Sequence, residues 1–307
     1  MRTVFAGTAT FALPALAALV GSDHEIELVI TRPDRRAGRG RRTRASPVRL
    51  AAEAAGLAVA MPATLADSVL RERLAALAPV VLVVVAYGRL VPPALLSLPH
   101  YGALNVHPSL LPRWRGAAPV ERAILAGDAE TGVAVMRMTD ELDAGPIYRH
   151  LQVPIGVHET AGELSDRLAE AGAELLLETL AALAAGKAQA TPQRGEPNYA
   201  ARLTVAEARL DFAQSAEALA RRIRAFNPRP VAWCECDGER LRLLRAEALG
   251  EKVANPPGTI VAVGESGLDI ATGEGLLRIT ELQRAGRKPL PAADFARGQS
   301  WMGRRFF

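Results

Sequence analysis

Cysteine is scarce: the 307-residue chain carries only Cys234 and Cys236. So few thiols exclude a disulfide-dense scaffold and fit a reducing compartment. Both stand in Trp-Cys-Glu-Cys, an alternating run that turns them to one face of a strand. Two ligands alone do not make a zinc site, and no other convincing metal-ligand set stands out, so no metal is expected. Long apolar runs are also missing. None approaches the roughly 18 residues of a membrane span. Met1–Val20 has a single basic residue, Arg2, and interrupts its apolar stretch with Gly7, Thr8 and Thr10, so it reads as strand, turn and helix rather than as a signal peptide. A cytoplasmic protein is expected. The first turn, Gly7-Thr8-Ala9-Thr10-Phe11, lacks the Gly-x-Gly-x-x-Gly of dinucleotide sites, and no Gly-x-x-x-x-Gly-Lys-Ser/Thr phosphate loop occurs.

What is present is 49% hydrophobic and 23% charged, a composition that excludes global disorder. At roughly 150 residues per domain the length predicts two domains. Thr3–Ala6 and Glu25–Ile30 read as strands, and the continuous run Val80–Ala86 as a strand buried on both faces. Gly102–His107 is another. Between them lie helical patterns: one through Val20, one from Ser46-Pro47 (an N-cap followed by proline at the first helical position) to about Ala55, one over Leu65–Leu77. Strands alternating with helices predict an α/β fold, a Rossmann-like, mostly parallel sheet with helices on both faces. Ala161–Ala185 reads as a long helix closing a first domain over 1–186. Residues 187–204, with Pro192, Gly195 and Pro197, read as a linker. Beyond it, over 205–307, a helix at Ala216–Phe226 precedes five short alternating runs separated by Asp237-Gly238, Pro257-Gly258 and Gly273-Glu274-Gly275, which predict a smaller β-barrel.

Two stretches offer chemistry. The first is Asn105-Val106-His107-Pro108-Ser109-Leu110-Leu111-Pro112-Arg113-Trp114-Arg115-Gly116. Asn105 and His107, two apart at the C-terminal end of a buried strand, point to one side, at the edge where open α/β sheets place their sites. By itself such a pair reads equally as a satisfied structural pair. The second is Met138-Thr139-Asp140-Glu141-Leu142-Asp143-Ala144-Gly145-Pro146, which alone reads equally as a solvated acidic loop. Gly145 gives this stretch a backbone free to approach a ligand.

Together, Asn-x-His, Ser-Leu-Leu-Pro-x-x-x-Gly and Leu-Asp-x-Gly resemble the folate-dependent formyltransferase family, and Ala117-Ala118-Pro119 and Gly127–Val133 extend the likeness. The resemblance implies 10-formyltetrahydrofolate as co-substrate and an amine as acceptor. It implies Asn105, His107 and Asp143 as catalytic residues. The Asn105 amide would donate to the oxyanion, with Asp143 stabilising the His107 imidazolium or accepting a proton. Ser109, Leu110, Leu111, Pro112 and Asp140 would border the folate, and Tyr87, Gly88 and Leu90 would form its pterin-side loop. The usual first turn of the family is Gly-Thr-Pro-Asp/Glu-Phe; here Ala9 and Thr10 replace its middle, so no role is assigned there.

The acceptor is read from charge. Residues 32–49 hold eight Arg and one Asp, a net +7 within a chain of net +4. Such a run is often only a solvated loop, yet guanidinium groups fit phosphate bidentately. Thr31-Arg32-Pro33-Asp34-Arg35-Arg36-Ala37-Gly38-Arg39-Gly40 resembles the loop of those family members that act on methionyl initiator tRNA. That likeness implies Arg35, Arg36, Arg39, Arg41 and Arg42 as tRNA-binding residues, with Arg39 sensing the unpaired first position. Arg224–Pro228 and Pro257–Ile260 carry the resemblance into an oligonucleotide-binding-like C-terminal barrel. Over 205–307 sixteen Arg and Lys face thirteen Asp and Glu, so that barrel would grip phosphate weakly and with strong salt dependence. The expected enzyme is a monomer. The alternative is a formyltransferase acting on a nucleotide-sugar amine, which would generally lack the Arg-Gly loop; a non-catalytic RNA-binding protein with the same fold would not need Asn105, His107 and Asp143.

Overall fold

The computed structural model describes residues 1–37, 42–251 and 253–307, and for 35–37 and 42–43 the main chain only. It divides into two compact units: Met1–Pro119, Glu130–Pro154 and Ser165–Ala200 form the first, and Val120–Ala129, Ile155–Leu164 and Ala201–Phe307 the second.

In the first half of the chain the elements are β1 (Arg2–Gly7), α1 (Leu13–Val20), β2 (Glu25–Ile30), β3 (Arg35–Ala37), β4 (Arg42–Arg44), α2 (Pro47–Ala54), β5 (Val59–Ala60), α3 (Ser68–Leu77), β6 (Val81–Val85), α4 (Pro93–Leu96), β7 (Ala103–His107) and β8 (Arg115–Gly116). There follow α5 (Pro119–Ala126), β9 (Glu130–Arg137), β10 (Ile147–Pro154), α6 (Ala161–Ala184) and β11 (Tyr199–Ala200). Seven strands make one sheet in the order β10-β9-β7-β6-β1-β2-β5. The run from β7 to β5 is parallel, and β9 and β10 join antiparallel. The expected Rossmann-like sheet is therefore present with two antiparallel strands on one side.

Local chemistry sets the element ends. Ser46 Oγ accepts from Arg49 N at 3.0 Å, and Pro47 opens α2. The helix expected from Leu65 begins instead at Ser68, because the Asp67 carboxylate accepts from Val69 N and Leu70 N and so caps the chain there. Thr160 and Glu163 form a reciprocal capping box at the start of α6: Glu163 Oε2 accepts from Thr160 N at 2.8 Å, and Thr160 Oγ1 from Glu163 N at 3.3 Å. All five residues of β6 are buried, as a β-branched run in the middle of a covered sheet must be. On one side of the sheet Val4, Ala6, Leu28, Ile30, Leu82 and Val84 pack with Leu70 and Leu74 of α3 and Leu95 and Leu96 of α4. On β7, Val106 turns to α6: a Cβ on Gly172 would meet Val106 Cγ1 at 2.7 Å and Val133 Cγ2 at 3.0 Å. Glycine there lets α6 lie close, and the period of two turns Asn105 and His107 the other way.

Residues 187–200, read from composition as the greater part of a linker, belong to the first unit. Thr191 pairs with Ile147, and β11 runs parallel to β8. In the second unit, α7 (Ala216–Ala225) packs on an antiparallel sheet built from β12 (Trp233–Cys236), β13 (Glu239–Leu249), β14 (Ile260–Gly264), β15 (Gly267–Ala271), β16 (Leu276–Arg284) and β17 (Leu290–Pro291), followed by α8 (Ala292–Ala296). The order is β12-β13-β16-β15-β14, with β17 on β16. Strand β13 outruns its expected 241–246. Alternation fails at Leu243-Leu244, and register shifts between Leu243 and Ala246 absorb the fault, so pairing continues to Leu249. The last residues link the two outer strands. Ile260 donates to Arg304 O at 2.9 Å, and Glu235 and Phe307 exchange both main-chain hydrogen bonds at 2.9 and 2.8 Å. Both cysteines face inward, 0% and 2% exposed. Burial pushes the Cys236 thiol up to about 11 and that of Cys234 well above its ordinary value.

Candidate active site

The C-terminal ends of β1, β6 and β7 carry Thr8, Tyr87 and His107. Thr8 Oγ1 donates to Tyr87 O at 3.0 Å, tying two of these strand-end loops together. Sheet order reverses direction about β1, the place where open α/β sheets leave a crevice.

Asn105, His107 and Asp143, separated by up to 38 residues in sequence, converge. Asn105 Nδ2 donates to Asp143 Oδ1 at 3.4 Å. Asp143 Oδ2 accepts from Gly116 N at 2.8 Å and lies 3.7 Å from His107 Nδ1. The other ring nitrogen, His107 Nε2, is 2.9 Å from Trp114 O. A carbonyl only accepts, so Nε2 carries the hydrogen and Nδ1 faces the carboxylate. The His107 and Asp143 side chains are 5% and 11% exposed, so charge exchanged between them is poorly screened by solvent. The arrangement provides an amide donor, a ring nitrogen able to take a proton, and a carboxylate to hold the resulting cation.

Two positions in this framework are strained. Asp143 (φ 49°) and Trp114 (φ 61°) are non-glycine residues in the left-handed region, which costs a residue such as Trp114 about 1–2 kcal/mol and an Asp less. Gly145 answers to the protein itself: a Cβ there would overlap the Arg137 carbonyl oxygen. The acidic stretch also divides. Asp140 is exposed, Glu141 pairs with Arg115 Nη1 at 3.1 Å, and only Asp143 turns inward.

The residues expected around folate take different positions. Ser109 is fully buried and its hydroxyl donates to Arg113 O at 2.7 Å, closing its own loop. Leu110 lies over Gly132, and Leu111 packs on Ala134, Met136 and Ile147. Pro112 follows a cis peptide bond. Tyr87 puts its ring into the core, where burial raises the phenol above its ordinary value against the opposing charge of Arg89. Gly88, at φ 79°, and Leu90, 80% exposed, present the loop itself.

The arginine segment is anchored at its base, where Thr31 Oγ1 and Ser46 Oγ are 2.7 Å apart and Asp34 pairs with Arg49 at 2.6 Å. Arg49 is thus engaged in ion pairs with Asp34 and Glu53. Arg35 and Arg36 lie in β3 and Arg42 in β4, whose main-chain register sets Arg35 against Arg44 and Ala37 against Arg42. Arg39 and Arg41 lie outside the described residues. Among the described residues no group of three or more His, Cys, Asp or Glu is placed to hold a metal ion, and no helix is long and apolar enough to cross a membrane.

Sequence reading took Arg115 only as part of the Ser109–Gly116 motif, with no role of its own, and passed over Gln193 and Asn198. Gln193 Nε2 donates to Asp143 O at 2.7 Å and Gly145 O at 2.9 Å, while its Oε1 accepts from Arg115 Nη2 at 2.9 Å. Asn198 Oδ1 accepts from Trp114 N, and Asn198 O from Arg115 N at 3.0 Å. The only sequence signal was two amide side chains in a Pro- and Gly-containing stretch.

Residues 1–180 match the formyl transferase family, and residues 202–300 match the formyl transferase C-terminal domain. The methionyl-tRNA formyltransferase of Stenotrophomonas maltophilia (strain K279a) is 50% identical over 298 residues, 96% of either chain. That of Xanthomonas campestris pv. campestris (strain 8004) is 52% identical over 297 residues, again 96% of each. Among solved structures, HypX from Aquifex aeolicus in complex with tetrahydrofolic acid aligns over all of this chain at 19% identity with a TM-score of 0.68; this chain spans about half, 51%, of that one. An N-formyltransferase from Helicobacter canadensis, in complex with folinic acid and dTDP-3-aminofucose, aligns over 92% of this chain and 99% of its own at 17% identity, also with a TM-score of 0.68. At these identities the two structures show the fold.

Proposed function

Since the chain belongs to the formyl transferase family, we propose that Asn105, His107 and Asp143 carry its reaction. The enzyme transfers a formyl group from 10-formyltetrahydrofolate to the free amino group of methionyl initiator tRNA, for initiation of translation. The identity of about 50% to methionyl-tRNA formyltransferases over nearly the whole chain carries the choice of acceptor.

The geometry supports the following division of labour. The amine attacks the formyl carbon, a C–N bond forms, and the carbonyl oxygen becomes an oxyanion. Asn105 Nδ2 has two hydrogens. One is directed to Asp143, which orients the amide and leaves the other to donate to the oxyanion. The attacking nitrogen must lose a proton. Nδ1 of His107 is the ring nitrogen free to take it, because Nε2–H is engaged by Trp114 O. Asp143 then faces an imidazolium across 3.7 Å and stabilises it. Collapse of the tetrahedral species breaks the bond from the formyl carbon to the donor nitrogen, and that nitrogen receives the proton. Overall one C–N bond replaces another and one proton moves from the acceptor nitrogen to the donor nitrogen.

The folate is placed beside the Gly88–Leu90 loop and the Ser109–Pro112 turn. Ser109 and Tyr87 support this wall from within, consistent with their burial, and Asp140 lies on its exposed side. Arg35, Arg36, Arg39, Arg41 and Arg42 hold the acceptor end of the tRNA through phosphate contacts, and the barrel over 205–307 adds weaker ones. The enzyme acts as a cytoplasmic monomer, a state that light scattering checks.

The test is a formylation assay with 10-formyltetrahydrofolate in which methionyl initiator tRNA competes with methionyl elongator tRNA and an amino-sugar nucleotide. Formylation confined to the initiator is expected. Transfer to the sugar alone would leave the chemistry standing and overturn the acceptor.

A further inference from the structure

Trp114 and Asp143, each held in the left-handed region, are gripped by one short segment, residues 191–200. We propose that this segment is a positioning strap for the catalytic pair, in which Gln193 sets Asp143 and Asn198 sets His107 through the Trp114 peptide.

Each end of the Gln193 amide has only one workable orientation. Arg115 offers Nε at 3.2 Å and Nη2 at 2.9 Å and can only donate; Asp143 O and Gly145 O, at 2.7 and 2.9 Å, can only accept. The amide oxygen therefore faces Arg115, and both amide hydrogens are committed to the carbonyls that flank Ala144. Arg115 is itself 7% exposed and held by Glu141 at 3.1 Å. A chain of charge-assisted bonds thus runs Glu141–Arg115–Gln193 and ends on the main chain of the Asp143 turn. It fixes the turn against its strain, and with it the direction of a carboxylate whose two oxygens serve Asn105 and Gly116.

Asn198 performs the same task for the histidine. Its Oδ1 accepts from Trp114 N, and its carbonyl accepts from Arg115 N. Trp114 O is the acceptor that selects the His107 tautomer. Tyr199 and Ala200 continue along Arg115 and Gly116, where a Cβ on Gly116 would lie 3.0 Å from Ala200 O. All these contacts lie within the first unit. None of the strap residues is assigned to touch substrate, so their effect is on geometry.

This inference rests on Asp143 and His107 acting as proposed above, so the variants are compared with Asp143→Asn in one assay. Gln193→Glu keeps the acceptor for Arg115 but has no hydrogen for the two carbonyls; Gln193→Ala removes both functions. Turnover per folded molecule is expected to fall about 10- to 100-fold in each, with KM for either substrate changing less than kcat and the pH profile of kcat displaced. Asn198→Ala is expected to lose turnover to a similar extent, and Asn198→Asp, which keeps an acceptor for Trp114 N, to recover most of it. A purely structural role would lower the denaturation midpoint and leave kcat per folded molecule and its pH profile at the parent values, which would overturn the proposal. If Asp143→Asn loses turnover while the Gln193 variants stay within about threefold of the parent, the strap fails and the catalytic reading stands. If Asp143→Asn is also unaffected, both fail.

Discussion

Replacing Asp143 by Asn changes one atom and two interactions. When His107 takes a proton, the charge pair spans 3.7 Å between side chains 5% and 11% exposed. With an effective dielectric constant of about 20, Coulomb's law gives about 4.5 kcal/mol for that distance. At about 1.4 kcal/mol per decade this is roughly a thousandfold in rate, if the whole pairing is present in the transition state. A second loss adds to it. Both carboxylate oxygens face donors, Gly116 N at 2.8 Å and Asn105 Nδ2 at 3.4 Å, and an amide has only one oxygen. Keeping the shorter bond turns the new NH2 toward Asn105, whose own amide then flips and withdraws its donor from the oxyanion. Stability changes little, within about 1 kcal/mol, since one weak hydrogen bond is exchanged and Asn tolerates the left-handed φ of 49°. Steady-state kinetics at saturating substrates, paired with urea denaturation, measure both. A kcat within about threefold of the parent would refute the charge-pair argument, and a matching collapse of stability would refute the claim that the loss is chemical.

Arg39→Ala combined with Arg42→Ala is expected to weaken tRNA binding and to reduce the slope of log K against log salt by about 2, if each side chain neutralises one phosphate; equal slopes would remove them from the clamp. Gly145→Ala is expected to cost about 1–3 kcal/mol or more by denaturant titration, because the added methyl meets the Arg137 carbonyl. Glu163 is held at about 2, first by the Thr160 N–H and then by Arg245. Its ionised form therefore contributes stability that is fully present above its ordinary value of 4.5 and is lost as pH falls toward 2. The gap in thermal midpoint between the parent and Glu163→Gln should be open at pH 6 and close across that window; a gap independent of pH would contradict the assignment.

Much of the fold was readable locally because its causes are local. Glu25–Ile30 was expected as a strand with the bounds it has, and Ser46-Pro47 marked the start of α2 because the cap involves residues three apart. The C-terminal strands were legible from alternation and turn residues, except where β13 continues past a break in that alternation. The start of α3 was misplaced by three residues because periodicity does not register that Asp67 caps the chain there.

For the site, strand spacing alone left Asn105 and His107 open to a structural reading, and it was the resemblance of the combined motifs, Asn-x-His, Ser-Leu-Leu-Pro-x-x-x-Gly and Leu-Asp-x-Gly, that singled them out together with Asp143. Which of Asp140, Glu141 and Asp143 turns inward, which nitrogen of His107 faces Trp114 O, and what contacts surround Asp143 and the Trp114 peptide were decided by tertiary structure. The reason is the range of the bonds. Gln193 and Asn198 lie 50 and 84 residues from their partners Asp143 and Trp114, and no periodicity links such positions. A segment whose composition marks it as a linker becomes part of the site only when the sheet has brought β8 beside it.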